Sequence, residues 1–244
     1  ITSKFILYLL IFFFLAPASY GAERSEVLPQ KISIGLNPGG QPDVLKAQAL
    51  ALAKEIQDQF HIPVEIYVSK DYASLVEAMK EKKIQFAFFS SMTFVFAEAT
   101  AGAKVLLKKV WTDPFYFSAV AVREDSKIRS IEQLRGKRMA FVDKNSTSGY
   151  LYPQVMFKKK NFQSSAFKEI LYSGNHSHSV DWLEQKKVDA ISVFSDDAKG
   201  LTGAWSKFSK DKKMKVRVLW VSDPIPTDPF CVSKDFYEEY PKFT

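Results

Sequence analysis

Apolar positions fall at helical spacing over 42–60, where Val44, Leu45, Ala49, Leu52, Ala53 and Ile56 share a face, and again over 72–82 with Leu75, Val76 and Met79. Around them lie runs of strand type: 31–36, then 64–68 with period-two alternation, then 86–89, apolar on both faces. A helix over 93–101 and a strand over 104–110 continue the order, so the first batch reads β-α-β-α-β-α-β and calls for a mostly parallel sheet flanked by helices. An extended run from Tyr116 to Val122 opens a second batch, with strands at 138–141, 167–172, 190–194 and 215–221 and helices at 149–159 and 180–185. Extended crossings near 113–122 and 215–230 join the batches. They predict two lobes, 23–115 plus 222–244 and 116–221, linked by a double-stranded hinge with a ligand cleft between them.

The first residues break this pattern. Lys4 precedes an unbroken apolar run, Phe5 to Leu15, and then the small-residue stretch Ala16-Pro17-Ala18-Ser19-Tyr20-Gly21-Ala22. That is the order of a secretory signal, and residues 1–22 are read as one. Eleven helical residues span about 16 Å, short of the roughly 30 Å of a bilayer core. No cysteine lies nearby to carry a lipid, so a soluble, exported, periplasmic protein is expected. The chain starts without Met and stops soon after a helix-start signal at Asp235, and both ends are expected to be truncated.

Composition narrows the chemistry. With 46% apolar and 25% charged residues among 244, disordered and collagen-like classes are excluded. The single cysteine, Cys231, excludes an internal disulfide and any zinc site built on several cysteines. A net charge of +7 invites a nucleic-acid reading, but the lysine runs at 158–160, 186–187 and 210–213 carry no aromatic platform and read as solvated faces, so no nucleic-acid partner is expected. Gly-x-Ser-x-Gly, His-Glu-x-x-His, the phosphate loop and the dinucleotide glycine fingerprint are all missing, so the chain is not expected to be an enzyme.

The strongest local signal is Asp143-Lys144-Asn145-Ser146-Thr147-Ser148-Gly149-Tyr150, between a strand and a helix. Three consecutive hydroxyls beside the free N–H groups of a helix start can hold a tetrahedral anion. Ordinary N-capping is the competing explanation, though it needs only one hydroxyl. His176 and His178 form a His-x-His pair with no third ligand spaced for a metal, so a hydrogen-bonding, cleft-facing histidine is favoured, with no metal and no cofactor. His61 reads as a helix-end residue.

On Asp71-Tyr72-Ala73, Pro114 to Ser118, Asn145 to Gly149 followed by Pro153, Gly174-Asn175-His176, Val188-Asp189-Ala190 and Ile225 to Pro229, the chain resembles the periplasmic substrate-binding proteins of phosphate, phosphite and phosphonate ABC transporters. The resemblance covers most of 31–239. It implies an α/β, two-lobed type II periplasmic-binding-protein fold of the Venus flytrap kind, a small phosphorus oxyanion as ligand, an inner-membrane permease as partner, and a monomer. It implies that Ser146, Thr147, Ser148 and His176 hold the oxyanion, that Tyr72 and Tyr116 close over it, and that Asp228 and Asp196 line the far end, where relatives taking aminoalkyl phosphonates meet the amine. Asp196 could instead cap a helix beginning at Asp197. Departures from the family pattern are Phe89-Ser90-Ser91, where a glycine is usual, Ser177, where an acid is common, and further helices expected after 234–235. A sensory input domain of a membrane-anchored signalling protein, using the same fold, is the alternative.

Overall fold

The computed structural model describes residues 28–110, 113–211, 214–241 and 243–244, so the signal-type segment at 1–22 lies outside the described residues. The elements in chain order are β1 (Ile32–Leu36), α1 (Pro42–Phe60), β2 (Val64–Val68), α2 (Tyr72–Lys80), β3 (Phe86–Phe88), α3 (Ser91–Ala101), β4 (Lys104–Lys108) and β5 (Phe115–Arg123). They continue with β6 (Arg138–Phe141), α4 (Tyr152–Lys159), β7 (Glu169–Tyr172), α5 (His176–Glu184), β8 (Ala190–Ser195), α6 (Ala204–Phe208), β9 (Val216–Val221), β10 (Ile225–Pro226), β11 (Pro229–Val232) and α7 (Lys234–Glu239). Among the described residues no helix is long and apolar enough to cross a membrane.

Two mixed sheets organise these elements. The first has the order β2-β1-β3-β11-β4, and the second β10-β5-β8-β6-β7 with β9 also on β5. The first sheet is mostly parallel, as expected, with β1, β2, β3 and β4 pointing the same way, and one inserted strand is the exception. β1 pairs with β2 and β3 in parallel, but β11 returns from the far end of the chain and inserts antiparallel between β3 and β4. The physical reason is burial: Cys231 and Val232 are fully buried, and this apolar strand is covered only in the middle of the sheet.

Each sheet is covered on both faces. In the first, Leu75, Met79, Ile84 and Phe89 pack on one side, and Ile32, Ile34, Phe86 and Phe236 on the other. The second carries Val180, Leu183 and Ile191 on one face and Leu134, Met139, Phe141 and Phe157 on the opposite face. Asp189 accepts from the Arg138 backbone N–H and, in a fork, from Arg138 Nε at 3.1 Å and Nη2 at 2.8 Å, which pins β6 beside β8. His61 ends α1 in the left-handed conformation, φ 56°, its N–H bonded to the Gln57 carbonyl.

The two crossings lie side by side. β9 and β10 run antiparallel along β5, Ser222 N–H reaches the Ser118 carbonyl at 2.9 Å, and Thr227 N–H reaches that of Pro114 at 3.2 Å.

Candidate functional site

The three-hydroxyl segment follows β6 and leads into α4 by a single π turn, Thr147–Leu151, in which Leu151 N–H bonds the Ser146 carbonyl at 3.0 Å. Such turns often mark functional sites. Pro153 explains it: with no N–H, Pro153 cannot join the i to i−4 ladder of a helix started at Thr147, so the α-helix restarts at Tyr152 with the proline in its first turn. Gly149 is required because a Cβ there would lie 2.5 Å from Val142 Cβ. The hydroxyls divide their work. Ser146 Oγ accepts from Gly149 N–H at 3.1 Å and is the cap, while Thr147 and Ser148 are not spent on their own helix. All three are buried.

Polar groups of the first unit and of the first crossing face this turn. Tyr72, at the start of α2 behind the Asp71 cap, is buried and its hydroxyl bonds the Ser146 side chain. Tyr116, on the first crossing, reaches the Ser148 and Thr147 hydroxyls. Burial holds both phenols well above the ordinary tyrosine range, so both stay neutral. Met92 N–H, in the first turn of α3, donates to Thr147 Oγ1 at 2.8 Å.

Asp228 sits on the second crossing, half-buried and close to both tyrosines. Burial raises its carboxyl above the usual range, partly opposed by the charge of Lys109 and by Asn37 Nδ2, which donates to Oδ2 at 3.4 Å. Sequence reasoning missed Asn37. The signal was available in Asn37-Pro38-Gly39-Gly40, a turn at the carboxyl end of β1, where open α/β sheets place ligands.

His176 opens α5, and its N–H approaches the Gly39 carbonyl of the first unit at 3.4 Å. The ring lies 5.0 Å from that of Phe194, with Nδ1 buried and lacking a hydrogen-bond partner among the described residues. Burial pushes its pKa down to about 3, so the ring is neutral and one N–H or lone pair points at nothing. Orphaned groups of this kind cost roughly 1–3 kcal/mol and call for an explanation. His178 is occupied elsewhere, its Nδ1 3.2 Å from the Ser173 carbonyl. Among the described residues no group of three or more His, Cys, Asp or Glu could hold a metal.

Asp196 already has a partner. Lys207 Nζ lies 2.6 Å from its Oδ1, so its charge is already paired. No helix begins at Asp197, and that expectation is corrected: the Asp197 carboxylate gathers the N–H groups of Lys199, Leu201 and Thr202 at 2.9, 3.1 and 2.9 Å, and Gly200 at φ 68° turns the chain into a loop. The structure thus brings Tyr72, Tyr116, Ser146, Thr147, Ser148, His176 and Asp228 to facing edges of the two units. Asp196 is paired with Lys207, whose ammonium lies over the Phe194 ring that also packs on His176.

A family model described as ABC transporter, phosphonate, periplasmic substrate-binding protein matches residues 34–242. The phosphonates-binding periplasmic protein of Escherichia coli K12 is 28% identical over 232 residues, 92% of this chain and 65% of that protein. The phosphate-import protein PhnD of Mycolicibacterium smegmatis is 29% identical over 197 residues, 74% of this chain and 61% of that protein. The chain therefore spans just under two thirds of the length of these two relatives. A binding protein component of an ABC phosphonate transporter from Pseudomonas aeruginosa superposes with a TM-score of 0.78 at 25% identity, covering 88% of this chain and 72% of that one. PhnD1 of Prochlorococcus marinus, solved in complex with methylphosphonate, shares the fold with a TM-score of 0.75 at 19% identity, over 87% and 80% of the two chains.

Proposed function

The chain belongs to the phosphonate ABC transporter periplasmic substrate-binding protein family, and from that premise we propose that it is an extracytoplasmic receptor that holds a small phosphorus oxyanion between its two sheet units and hands it to an ABC transporter permease. This is a family of solute-binding proteins, not of enzymes. The observation that carries the reading is the meeting of the Ser146-Thr147-Ser148 turn with Tyr72, Tyr116 and the unpartnered Nδ1 of His176. These are uncharged polar groups converging on one place, which suits an anion that must be held without a fully buried countercharge. The lobes of this receptor are residues 23–115 with 222–244, and 116–221.

Asp228 refines the ligand class. A bare carboxylate beside a bound anion is repulsive by several kcal/mol at 4–6 Å and an effective dielectric near 20. The repulsion turns into a hydrogen bond when the ligand keeps one acidic P–OH, whose proton Asp228 accepts. Because Lys207 already pairs Asp196, an ammonium group on the ligand is not needed to balance that carboxylate. The preferred ligands are then phosphonates, phosphite or phosphate in the monoprotonated state.

Calorimetry and thermal shift with methylphosphonate, ethylphosphonate, 2-aminoethylphosphonate, phosphite, phosphate and sulfate test this. Binding of the phosphorus acids is expected, with about 2.7 kcal/mol of added stability at 100 times the dissociation constant. Sulfate, which carries no proton at neutral pH, should fail. If no phosphorus acid binds at millimolar concentration, the receptor reading is wrong. A strong preference for 2-aminoethylphosphonate over ethylphosphonate, abolished by Asp196→Asn, would restore the amine to the site.

A further inference from the structure

We infer that the first turn of α3 is a latch across the cleft, in which the Met92 backbone N–H sets the Thr147 hydroxyl and Ser91 ties the same turn to the second crossing, so that both are positioning groups for the oxyanion. The inference rests on the reading of the Thr147 turn as the ligand site.

Every helix starts with N–H groups that have no partner inside it. In α3, Ser90 serves Thr93: its Oγ takes the Thr93 N–H at 3.4 Å and meets Thr93 Oγ1 at 2.9 Å. The Met92 N–H is satisfied from outside the unit, by Thr147 Oγ1 of the second unit at 2.8 Å. One residue earlier, Ser91 Oγ donates to the Pro226 carbonyl at 2.8 Å, and Pro226 lies in β10, paired with Phe115 of β5. Neighbouring residues of one turn therefore touch a hydroxyl of the oxyanion turn and a strand of the hinge.

A threonine hydroxyl has one proton and two acceptor sites. When Met92 N–H occupies an acceptor site, the proton is directed away from α3, and the bond it makes is strengthened by polarisation along the chain. Thr147 is thus the better donor only while the units are docked. Docking and oxyanion binding favour each other by the same factor, as linkage requires. Neither Ser91 nor Met92 needs to touch the ligand.

The test uses the full chain with methylphosphonate as probe. Amide exchange of Met92 is followed in wild type and Thr147→Val, with and without the probe. Slow exchange in wild type, slowed several-fold more by the probe and lost in Thr147→Val, is expected. Met92→Pro removes the N–H at a place in the first turn that accepts proline. It should weaken methylphosphonate binding by about tenfold, mainly through faster dissociation. The loss caused by Thr147→Val should then be smaller in the Met92→Pro background than in wild type. Additive losses, or Met92 exchange indifferent to Thr147→Val, overturn the latch. Should Met92→Pro fail to fold, Ser91→Ala decides, with faster dissociation expected at an unchanged melting temperature of the free protein, and unchanged dissociation overturning the role of Ser91. If wild type binds no phosphorus oxyanion, the receptor reading falls, while the exchange data still judge the contact between units.

Discussion

An imidazole kept neutral by burial makes the folded state sensitive to acid. The unfolded chain protonates His176 near 6.5, whereas the folded chain resists until about pH 3. Above pH 6.5 both states are neutral and the contribution to stability is constant. Below it the unfolded chain binds a proton that the folded chain refuses, so stability is lost as pH falls, by up to about 1.4 kcal/mol per pH unit. Between pH 7 and pH 5 the expected loss from this residue is about 2 kcal/mol. Melting temperatures of wild type and His176→Asn at both pH values check it: wild type should fall further. Parallel falls would mean that the ring is open to water. At the neighbouring hydroxyl, Thr147→Ala should weaken oxyanion binding about tenfold or more, since hydrogen bonds to a charged group contribute roughly 1.5–3 kcal/mol. An unchanged calorimetric affinity would remove Thr147 from the site.

At the scale of elements, the π turn depends on Gly149 as much as on its hydroxyls. In Gly149→Ala the new methyl would lie 2.5 Å from Val142 Cβ, and Val142 follows β6 directly and cannot retreat cheaply. Overpacking of this kind typically costs about 1–3 kcal/mol. The expected result is a lower melting temperature together with loss of oxyanion binding, and a variant that binds normally would refute the tight seating of the turn. This turn was legible in sequence because hydroxyls, glycine and proline are local signals, and α1, β2 and β6 were legible from periodicity alone. The insertion of β11 between β3 and β4 was not, because strand neighbours are chosen by burial across the whole unit and leave no mark in local spacing. Nor was the role of Met92, which acts through a backbone N–H that every residue but proline possesses. The fate of Asp196 was hidden for a similar reason: Lys207 meets it only after α6 folds back over Phe194.

At the scale of the whole molecule, two well-filled sheet units are joined by a thin ribbon. The crossings are tied to each other by a few backbone bonds such as Ser222 to Ser118 and Thr227 to Pro114, and short paired strands twist more easily than the buried sheets on either side. Across the cleft the Tyr72 ring joins the second unit's apolar cluster, and the hydrogen bonds are Met92 to Thr147, His176 to Gly39, and Tyr72 to Ser146. Each hydrogen bond returns to water when the units part, so each is worth only about 1 kcal/mol net. A ligand bonded to both units adds its binding energy to the docked state alone and moves the population toward it. Small-angle scattering should therefore give a smaller radius of gyration with saturating methylphosphonate than without it. Tyr72→Phe, which removes one cleft bond and keeps the ring packed, should leave the free protein more open and require more ligand for the same closure. A radius that stays constant while calorimetry confirms binding would show that the two units do not move about the crossings.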